Sequence, residues 1–171
     1  MFQKPENIKT QRLLLTSFCQ EDRDSAIALF TDSEVKKTYM LPDFADSEAQ
    51  NRFFERIKEL SLSKDKILYA IKLSGKVIGI INEVEKTEDE IELGYALVNE
   101  EWGKGYMTEV LSAAINLLIE GGFQRVVTGA FEQNAASMRV MEKCGMKKIE
   151  KVDFIEYRGE NHKCVYYVFE K

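Results

Sequence analysis

The spacing of apolar residues divides the chain into an early helical part and a later part rich in strands. The apolar run Arg12–Leu15 predicts an opening strand, and apolar positions then recur at helical spacing from Ala26 to Phe30 and from Phe53 to Leu60. Ser47–Gln50 has the Ser-x-x-Gln form of a capping box, which predicts the start of the second of these helices. A shorter helical piece is expected between them, over residues 33–39.

From residue 67 the apolar period changes to that of strands. Ile67–Leu73, Val77–Val84 and Ile91–Val98 are β-rich and are separated by short polar segments, which is typical of an antiparallel meander. An almost wholly apolar helix follows, with one polar stripe, and it ends at the Gly121-Gly122 pair before the strand Val126–Ala130. This strand–helix–strand order predicts a crossover that makes its two strands parallel.

The last third of the chain predicts one more helix and two closing strands. Asn134 is expected to cap a helix that runs to Lys143, and Met146–Val152 and Cys164–Phe169 have the pattern of strands. The fold class is therefore α/β (α+β), with a mixed, mostly antiparallel central sheet, one parallel strand pair and flanking helices. No linker or repeat interrupts the 171 residues, so a single domain over 1–171 is expected.

Gly103-Lys104-Gly105 lies where the first parallel strand passes into the crossover helix, at the carboxyl end of that strand. Glycines let the backbone curl so that successive N–H groups point inward, and a helix begins with N–H groups that lack an intrahelical acceptor. Such a turn is suited to a phosphate-bearing ligand. It is not a nucleotide-binding P-loop, because the Gly-Lys-Ser/Thr ending is missing.

Composition narrows the classes of partner. A net charge of −5 argues against nucleic acid, and no apolar run is long enough for a membrane span or a secretory signal, so the cytoplasm is the expected location. Cys19, Cys144 and Cys164 are too far apart for a metal motif and are expected to be reduced, mostly buried thiols. With His162 as the one histidine, no metal site is predicted.

The ordered motifs resemble the GNAT superfamily of acyl-CoA-dependent N-acetyltransferases, and within it the branch of bacterial ribosomal-protein N-terminal acetyltransferases. The resemblance covers the whole chain and rests on five segments in the family's order, of which any one alone would be weak. They are Thr10–Leu15, Gly75–Gly79, Glu92–Tyr95, Trp102–Glu109 and Asn134–Met146.

The resemblance implies a GNAT fold in which the two parallel strands splay apart and acetyl-CoA binds as co-substrate. The pantetheine arm would pair with the backbone near Tyr95 and Leu97, and Asn134 matches the family's cofactor-side asparagine. The pyrophosphate would lie on the turn and first helical residues, which are Trp102, Gly103, Lys104, Gly105, Tyr106, Met107 and Thr108.

The chain departs from the family pattern at two positions. Met107 replaces the usual small residue and is expected to point toward the core, which would leave the backbone cradle intact. Met141 stands where many relatives have a tyrosine general acid, so that acid is missing. Ser137 matches the serine that this branch places near the thioester, although a serine in a first helical turn also has a purely structural role.

Acetyl transfer needs a neutral amine, and Glu92, on the strand leading to the turn, is the candidate for taking its proton, with Glu90 or a water as alternatives. A solvated carboxylate is the competing interpretation.

The predicted catalytic residues are thus Glu92 and Ser137, and the predicted enzyme transfers acetyl to a protein or peptide N-terminal α-amine by direct attack in a ternary complex. The alternatives are acetylation of a polyamine or aminoglycoside, and a non-catalytic acyl-CoA-binding domain. Either a monomer or a homodimer is compatible with the sequence.

Overall fold

The structure, a computed structural model, describes residues 2–171 and divides into two compact units. The N-terminal unit comprises Gln3–Asn82 and Tyr95–Val110, and the C-terminal unit comprises Glu83–Gly94 and Leu111–Lys171, with Phe2. The strand order of the mixed sheet is β1-β2-β3-β4-β5-β6-β8-β7, in which one pair of strands is parallel. The predicted fold class is therefore confirmed. The bounds of the strands are β1 Asn7–Lys9, β2 Leu14–Thr16, β3 Leu68–Leu73, β4 Lys76–Lys86, β5 Glu90–Leu97, β6 Arg125–Phe131, β7 Lys147–Tyr157 and β8 Glu160–Glu170.

Within residues 2–171, four α-helices connect these strands, and two of them begin at a residue whose side chain caps the helix, Asp46 or Asn134. Their bounds are α1 Arg23–Thr31, α2 Ser47–Ser61, α3 Tyr106–Glu120 and α4 Ala135–Lys143. The helical piece expected over residues 33–39 is a single 3₁₀ turn, Val35–Lys37. Among residues 2–171, no helix is long and apolar enough to cross a bilayer.

The start of α2 differs from the prediction by one position. Asp46, not Ser47, is the N-cap: its carboxylate accepts a hydrogen bond from the Ala49 N–H at 2.7 Å. Aspartate and serine are comparable N-cap residues, and the sequence Asp46-Ser47 offers both. The capping-box pattern therefore located the helix but misplaced its cap.

The opening segment is a hairpin and not the single strand that Arg12–Leu15 predicted. Strands β1 and β2 pair antiparallel, with Ile8 opposite Leu15. Between them the Thr10 N–H donates to the Leu13 carbonyl at 3.0 Å, which closes a tight turn. The turn takes residues 10–13 out of the strand, and the side chains of Thr10 and Arg12 bond elsewhere.

The core of the N-terminal unit lies where α1 and α2 cover the sheet. The rings of Phe18 and Phe54 meet edge-on at 6.5 Å, and Phe30 packs edge-on against Phe53 at 5.1 Å. Phe44 joins this cluster by packing on Phe53. Tyr39 is also partly buried and packs against this core cluster.

In the C-terminal unit β5 and β6 run parallel, as the crossover pattern predicted. The pairing extends from Glu90 opposite Arg125 to Leu93 opposite Thr128, and both strands continue beyond it. Strand β6 pairs antiparallel with β8, and β8 pairs antiparallel with β7.

The closing strand β7 extends to Tyr157, five residues beyond the predicted end at Val152. It lies last in the strand order, and most of its side chains are exposed, so it lacks the apolar alternation that marks a half-buried strand. The hairpin to β8 turns at Arg158 and Gly159, whose φ angles of 52° and 77° are those of a tight two-residue turn.

Gly79 allows a close approach within the N-terminal unit. A Cβ atom at this position would lie 2.4 Å from the Ala96 carbonyl oxygen and 2.5 Å from Leu97 Cδ2. We expect Gly79→Ala to lower the free energy of unfolding by about 1–3 kcal/mol, because backbone must shift to admit the methyl group. Urea denaturation measures this change. Lys76→Ala, at an exposed position of the same strand, is the control, and an equal loss in both variants would contradict the interpretation.

Candidate functional site

The glycine turn joins β5 to α3 in the conformation that an anion cradle requires. Gly103 and Gly105 have φ angles of 74° and 80°, which L-residues with a side chain rarely adopt. The first helical hydrogen bond of α3 runs from the Glu109 N–H to the Gly105 carbonyl at 3.1 Å. The N–H groups of the preceding turn have no acceptor within the helix backbone, as at every helix start. This end of α3 can therefore bind an anion through backbone donors.

The side chains of the turn make other contacts, so an anion bound at the turn would be held by backbone N–H groups. Lys104 extends to Glu101, with 2.9 Å between its Nζ and Oε2, so its charge is already paired at the surface. Met107 is 7% exposed, and its side chain is therefore buried as predicted. Trp102 remains about half exposed, while its indole N–H donates to the Leu97 carbonyl at 2.8 Å and ties the turn to the end of β5.

The turn also has partners that the sequence patterns did not reveal. The Glu109 carboxylate, in the first turn of α3, binds Thr10 and Arg12 of the β1–β2 turn, and Arg12 also donates to the Lys104 carbonyl. The sequence motif Thr10–Leu15 predicts a strand and indicates no contact of its polar side chains with α3. The one available signal was that the motif carried a threonine and an arginine, polar residues with no evident use in a buried strand.

In the C-terminal unit, Glu92 lies on β5 in a partly desolvated setting, with its side chain 17% exposed. Burial raises the pKa of Glu92, and the ammonium of Lys151, 3.7 Å away, opposes that rise. A carboxylate whose pKa is raised toward neutrality is a better proton acceptor than an exposed one.

Lys151 is held in place by further contacts on the same part of the sheet. Its ammonium lies 4.1 Å from the centre of the Tyr166 ring, and the Tyr166 hydroxyl donates to Asp153 at 2.8 Å. Burial and the bond to Asp153 raise the pKa of Tyr166, which keeps its hydroxyl protonated. Glu92 therefore faces a positive charge in an ordered setting.

Glu90, the alternative proton acceptor, has a different environment. Its carboxylate pairs with Arg125 at 2.6 Å on the neighbouring strand β6. This ion pair occupies one of the two carboxylate oxygens of Glu90. Glu90 and Glu92 therefore differ in the distance to their cationic partners, 2.6 Å to Arg125 and 3.7 Å to Lys151.

Helix α4 begins as predicted, at Asn134. The Asn134 side-chain oxygen accepts a hydrogen bond from the Ser137 N–H at 3.1 Å, which places both residues at the start of this helix. Met141 is fully buried further along α4, where it acts as a packing residue. The predicted site residues therefore form two groups. Tyr95, Leu97 and Trp102–Thr108 belong to the N-terminal unit, and Glu92, Asn134 and Ser137 belong to the C-terminal unit.

The burial of the three cysteines differs from the expectation. Cys164 is buried, but Cys144 is only partly so and Cys19 is exposed, so the prediction of mostly buried thiols is wrong. Burial raises the pKa of the Cys144 thiol, whose sulfur accepts a hydrogen bond from Ser112 at 3.3 Å, and this is not the setting of an activated nucleophile. Over residues 2–171, no three His, Cys, Asp or Glu side chains are grouped so that they could hold a metal ion.

The chain is similar to known proteins in sequence and in fold. The chain is 26% identical over 146 residues to the uncharacterized N-acetyltransferase YoaA of Bacillus subtilis (strain 168), covering 82% of each protein. Its fold matches RimL, the ribosomal L7/L12 alpha-N-protein acetyltransferase, in complex with coenzyme A, with a TM-score of 0.84, 18% identity and coverage of 96% and 98%.

A second solved structure with a similar fold is an acetyltransferase of a different role. The microcin C7 self immunity acetyltransferase MccE, in complex with acetyl-CoA and AMP, matches with a TM-score of 0.82 and 19% identity, over 98% of both chains. The model of the acetyltransferase (GNAT) domain matches residues 12–147, which include every predicted site residue. The chain therefore belongs to the GNAT acetyltransferase family and is an N-acetyltransferase.

Proposed function

We propose that this N-acetyltransferase uses acetyl-CoA as donor and the α-amine of a protein or peptide N-terminus as acceptor. The observation that carries the donor assignment is the pair of left-handed glycines, Gly103 and Gly105, at the start of α3. The two solved structures described above, in complex with coenzyme A and with acetyl-CoA, support the same donor.

The pyrophosphate of the donor binds to the backbone N–H groups of the turn and of the first residues of α3. Several charge-assisted hydrogen bonds to one pyrophosphate outweigh a single exposed lysine contact. The pantetheine arm pairs with backbone near Tyr95 and Leu97, and Asn134 contacts the cofactor while it caps α4. The cofactor-binding set is Tyr95, Leu97, Trp102, Gly103, Lys104, Gly105, Tyr106, Met107, Thr108 and Asn134.

The transfer begins when the acceptor amine loses a proton to Glu92, directly or through water. An α-amine with a pKa near 8 is about 10% neutral at pH 7, whereas a lysine side chain is well below 0.1% neutral, so an α-amine needs less help from a base. The neutral nitrogen attacks the thioester carbonyl, and the tetrahedral intermediate then expels CoA as a thiolate. Ser137 donates a hydrogen bond to that sulfur, and the sulfur takes up, through solvent, the surplus proton that the attacking nitrogen loses as it becomes the amide.

The acceptor class is supported by one neighbour and by charge. RimL, a ribosomal L7/L12 alpha-N-protein acetyltransferase, shares the fold over nearly the whole chain. The net charge of −5 suits a cationic amine, whether peptide or small molecule. We further propose that residues 1–171 act as one acetyltransferase domain, as a monomer or a homodimer.

A substrate panel tests this proposal. Release of CoA thiol from acetyl-CoA is measured with peptides of varied N-terminal residue, with the same peptides blocked at the α-amine, and with polyamines and aminoglycosides. Turnover that requires a free peptide α-amine is expected. Turnover with polyamines or aminoglycosides alone would contradict the acceptor, and CoA binding without turnover on any amine would favour a non-catalytic acyl-CoA-binding role.

If backbone N–H groups bind the pyrophosphate, substitutions at Gly105 and Lys104 should weaken CoA binding to very different degrees. Gly105→Val should abolish CoA binding, because a β-branched residue cannot adopt a φ of 80° without rebuilding the turn. Lys104→Ala should weaken CoA binding only modestly, within about fivefold, because its ammonium is exposed and paired with Glu101. Calorimetric titration with CoA measures both, after circular dichroism has shown that each variant is folded. The reverse order of effects would contradict the backbone cradle.

The environment of Glu92 predicts a change in pH dependence. Lys151→Met removes the positive charge that opposes the raised pKa of Glu92, so that pKa should rise further. Because the base must be deprotonated, the acidic limb of the kcat/KM profile should move to higher pH. The amine acceptor titrates identically in both enzymes, so the difference between the profiles reports on the protein.

Lys147→Met is the control for this profile, since it removes an exposed lysine from the same strand. A profile that moves equally in both variants would indicate a general charge effect. A Lys151→Met profile that does not move would contradict the assignment of Glu92 as base.

A further inference from the structure

We infer that Arg12, in the turn between β1 and β2, is a positioning residue for the donor: it holds the Lys104–Gly105 peptide so that its N–H faces the pyrophosphate. This inference rests on the proposed binding of acetyl-CoA at the turn. It concerns a residue distant in sequence that does not itself need to touch the cofactor.

The Arg12 side chain makes two kinds of contact within the N-terminal unit. Its Nη1 donates to the Lys104 carbonyl at 3.0 Å, and its Nε donates to Glu109 Oε2 at 2.7 Å. The guanidinium also lies 4.5 Å from the centre of the Tyr106 ring. One side chain therefore contacts the turn and the first helical residues of α3 at once.

Glu109 is the anchor of this arrangement. Its Oε1 accepts hydrogen bonds from the Arg12 N–H at 2.7 Å and from the Thr10 hydroxyl at 2.6 Å, and its Oε2 accepts from Arg12 Nε. The Glu109 side chain is only 15% exposed. Because the carboxylate receives donors from both backbone and side chains, the β1–β2 turn is fixed against the start of α3.

Because the peptide is planar, the hydrogen bond from Arg12 to the Lys104 carbonyl also fixes the direction of the Gly105 N–H. In a trans peptide the C=O and the N–H point in opposite directions, so the Lys104 carbonyl and the Gly105 N–H have one shared orientation. With that carbonyl bonded to Arg12, the Gly105 N–H points away from Arg12. Gly105, on one side of this peptide, is conformationally permissive, so the peptide could otherwise rotate and present its carbonyl oxygen to the phosphates.

Charge supplies a second reason for an arginine. Glu109 places a carboxylate at the helix end that is to receive an anionic pyrophosphate, where an unpaired negative charge would oppose binding. The Arg12 guanidinium compensates this charge at a distance of 2.7 Å. Its planar fork can bond Glu109 through one nitrogen and the Lys104 carbonyl through another, which a lysine ammonium on its flexible stem reproduces less well.

Calorimetric titration of the full chain with CoA tests the inference. Arg12→Met keeps an unbranched apolar side chain but removes the guanidinium, and with it the bonds to Lys104 and Glu109 and the contact with the Tyr106 ring, so the Kd for CoA should rise by at least about tenfold. Arg12→Lys should recover only part of this loss. Arg52→Met is the matched control, because Arg52 is an exposed arginine of the same unit that pairs with Glu48 on α2, and its Kd should stay within about twofold of the parent value.

Amide NMR of the unliganded protein separates this inference from the proposed function. The Gly105 N–H cross-peak should shift or broaden in Arg12→Met and stay in place in Arg52→Met, whether or not CoA binds. Unchanged glycine amides together with an unchanged Kd would overturn the inference. If the parent protein fails to bind CoA while the Gly105 amide still responds to Arg12→Met, the proposed donor is wrong and the positioning of the peptide stands.

Discussion

The orientation of one peptide, between Lys104 and Gly105, is the constraint on which the proposed anion site depends. Backbone N–H groups bind phosphate well only when they are already aimed at it, because a flexible loop would lose that gain to ordering. Glycines with positive φ allow the backbone to follow this turn, but they do not fix the orientation of the Lys104–Gly105 peptide, which could still rotate. The bonds from Arg12 to the Lys104 carbonyl and to Glu109 supply the missing restraint.

Three glutamates near the ends of β5 and α3 show how environment separates identical side chains. Glu109 accepts hydrogen bonds from two side chains and one backbone N–H and serves as a structural anchor. Glu90 is paired at 2.6 Å with Arg125. Glu92 has a more distant cation, Lys151, and a pKa raised by burial, and these two properties support its proposed role as the base.

Local chemistry explains which features the sequence could predict. The crossover, the glycine turn and the Asn134 cap follow from apolar periodicity, from glycine conformation and from side-chain bonds within a few residues. The helix cap at Asp46 was missed because two equivalent capping residues stand side by side. The length of β7 was missed because an exposed edge strand carries little apolar signal.

The contacts of Arg12 could not be predicted for a different reason. Arg12 and Glu109 are 97 residues apart, and no local pattern relates an arginine in a hairpin turn to a glutamate in a helix. The motif Thr10–Leu15 was visible, yet its polar positions gain meaning only when the hairpin is placed beside α3. Polar contacts between residues that lie far apart in the chain are therefore the part of a site that cannot be predicted from a single sequence.

A crystal structure of the complex with CoA tests the central claim most directly. The account predicts pyrophosphate oxygens within hydrogen-bonding distance of the backbone nitrogens of the turn and the first residues of α3, with the Lys104 carbonyl still bonded to Arg12. A pyrophosphate held mainly by the Lys104 side chain, or bound away from the Gly103–Gly105 turn, would contradict it.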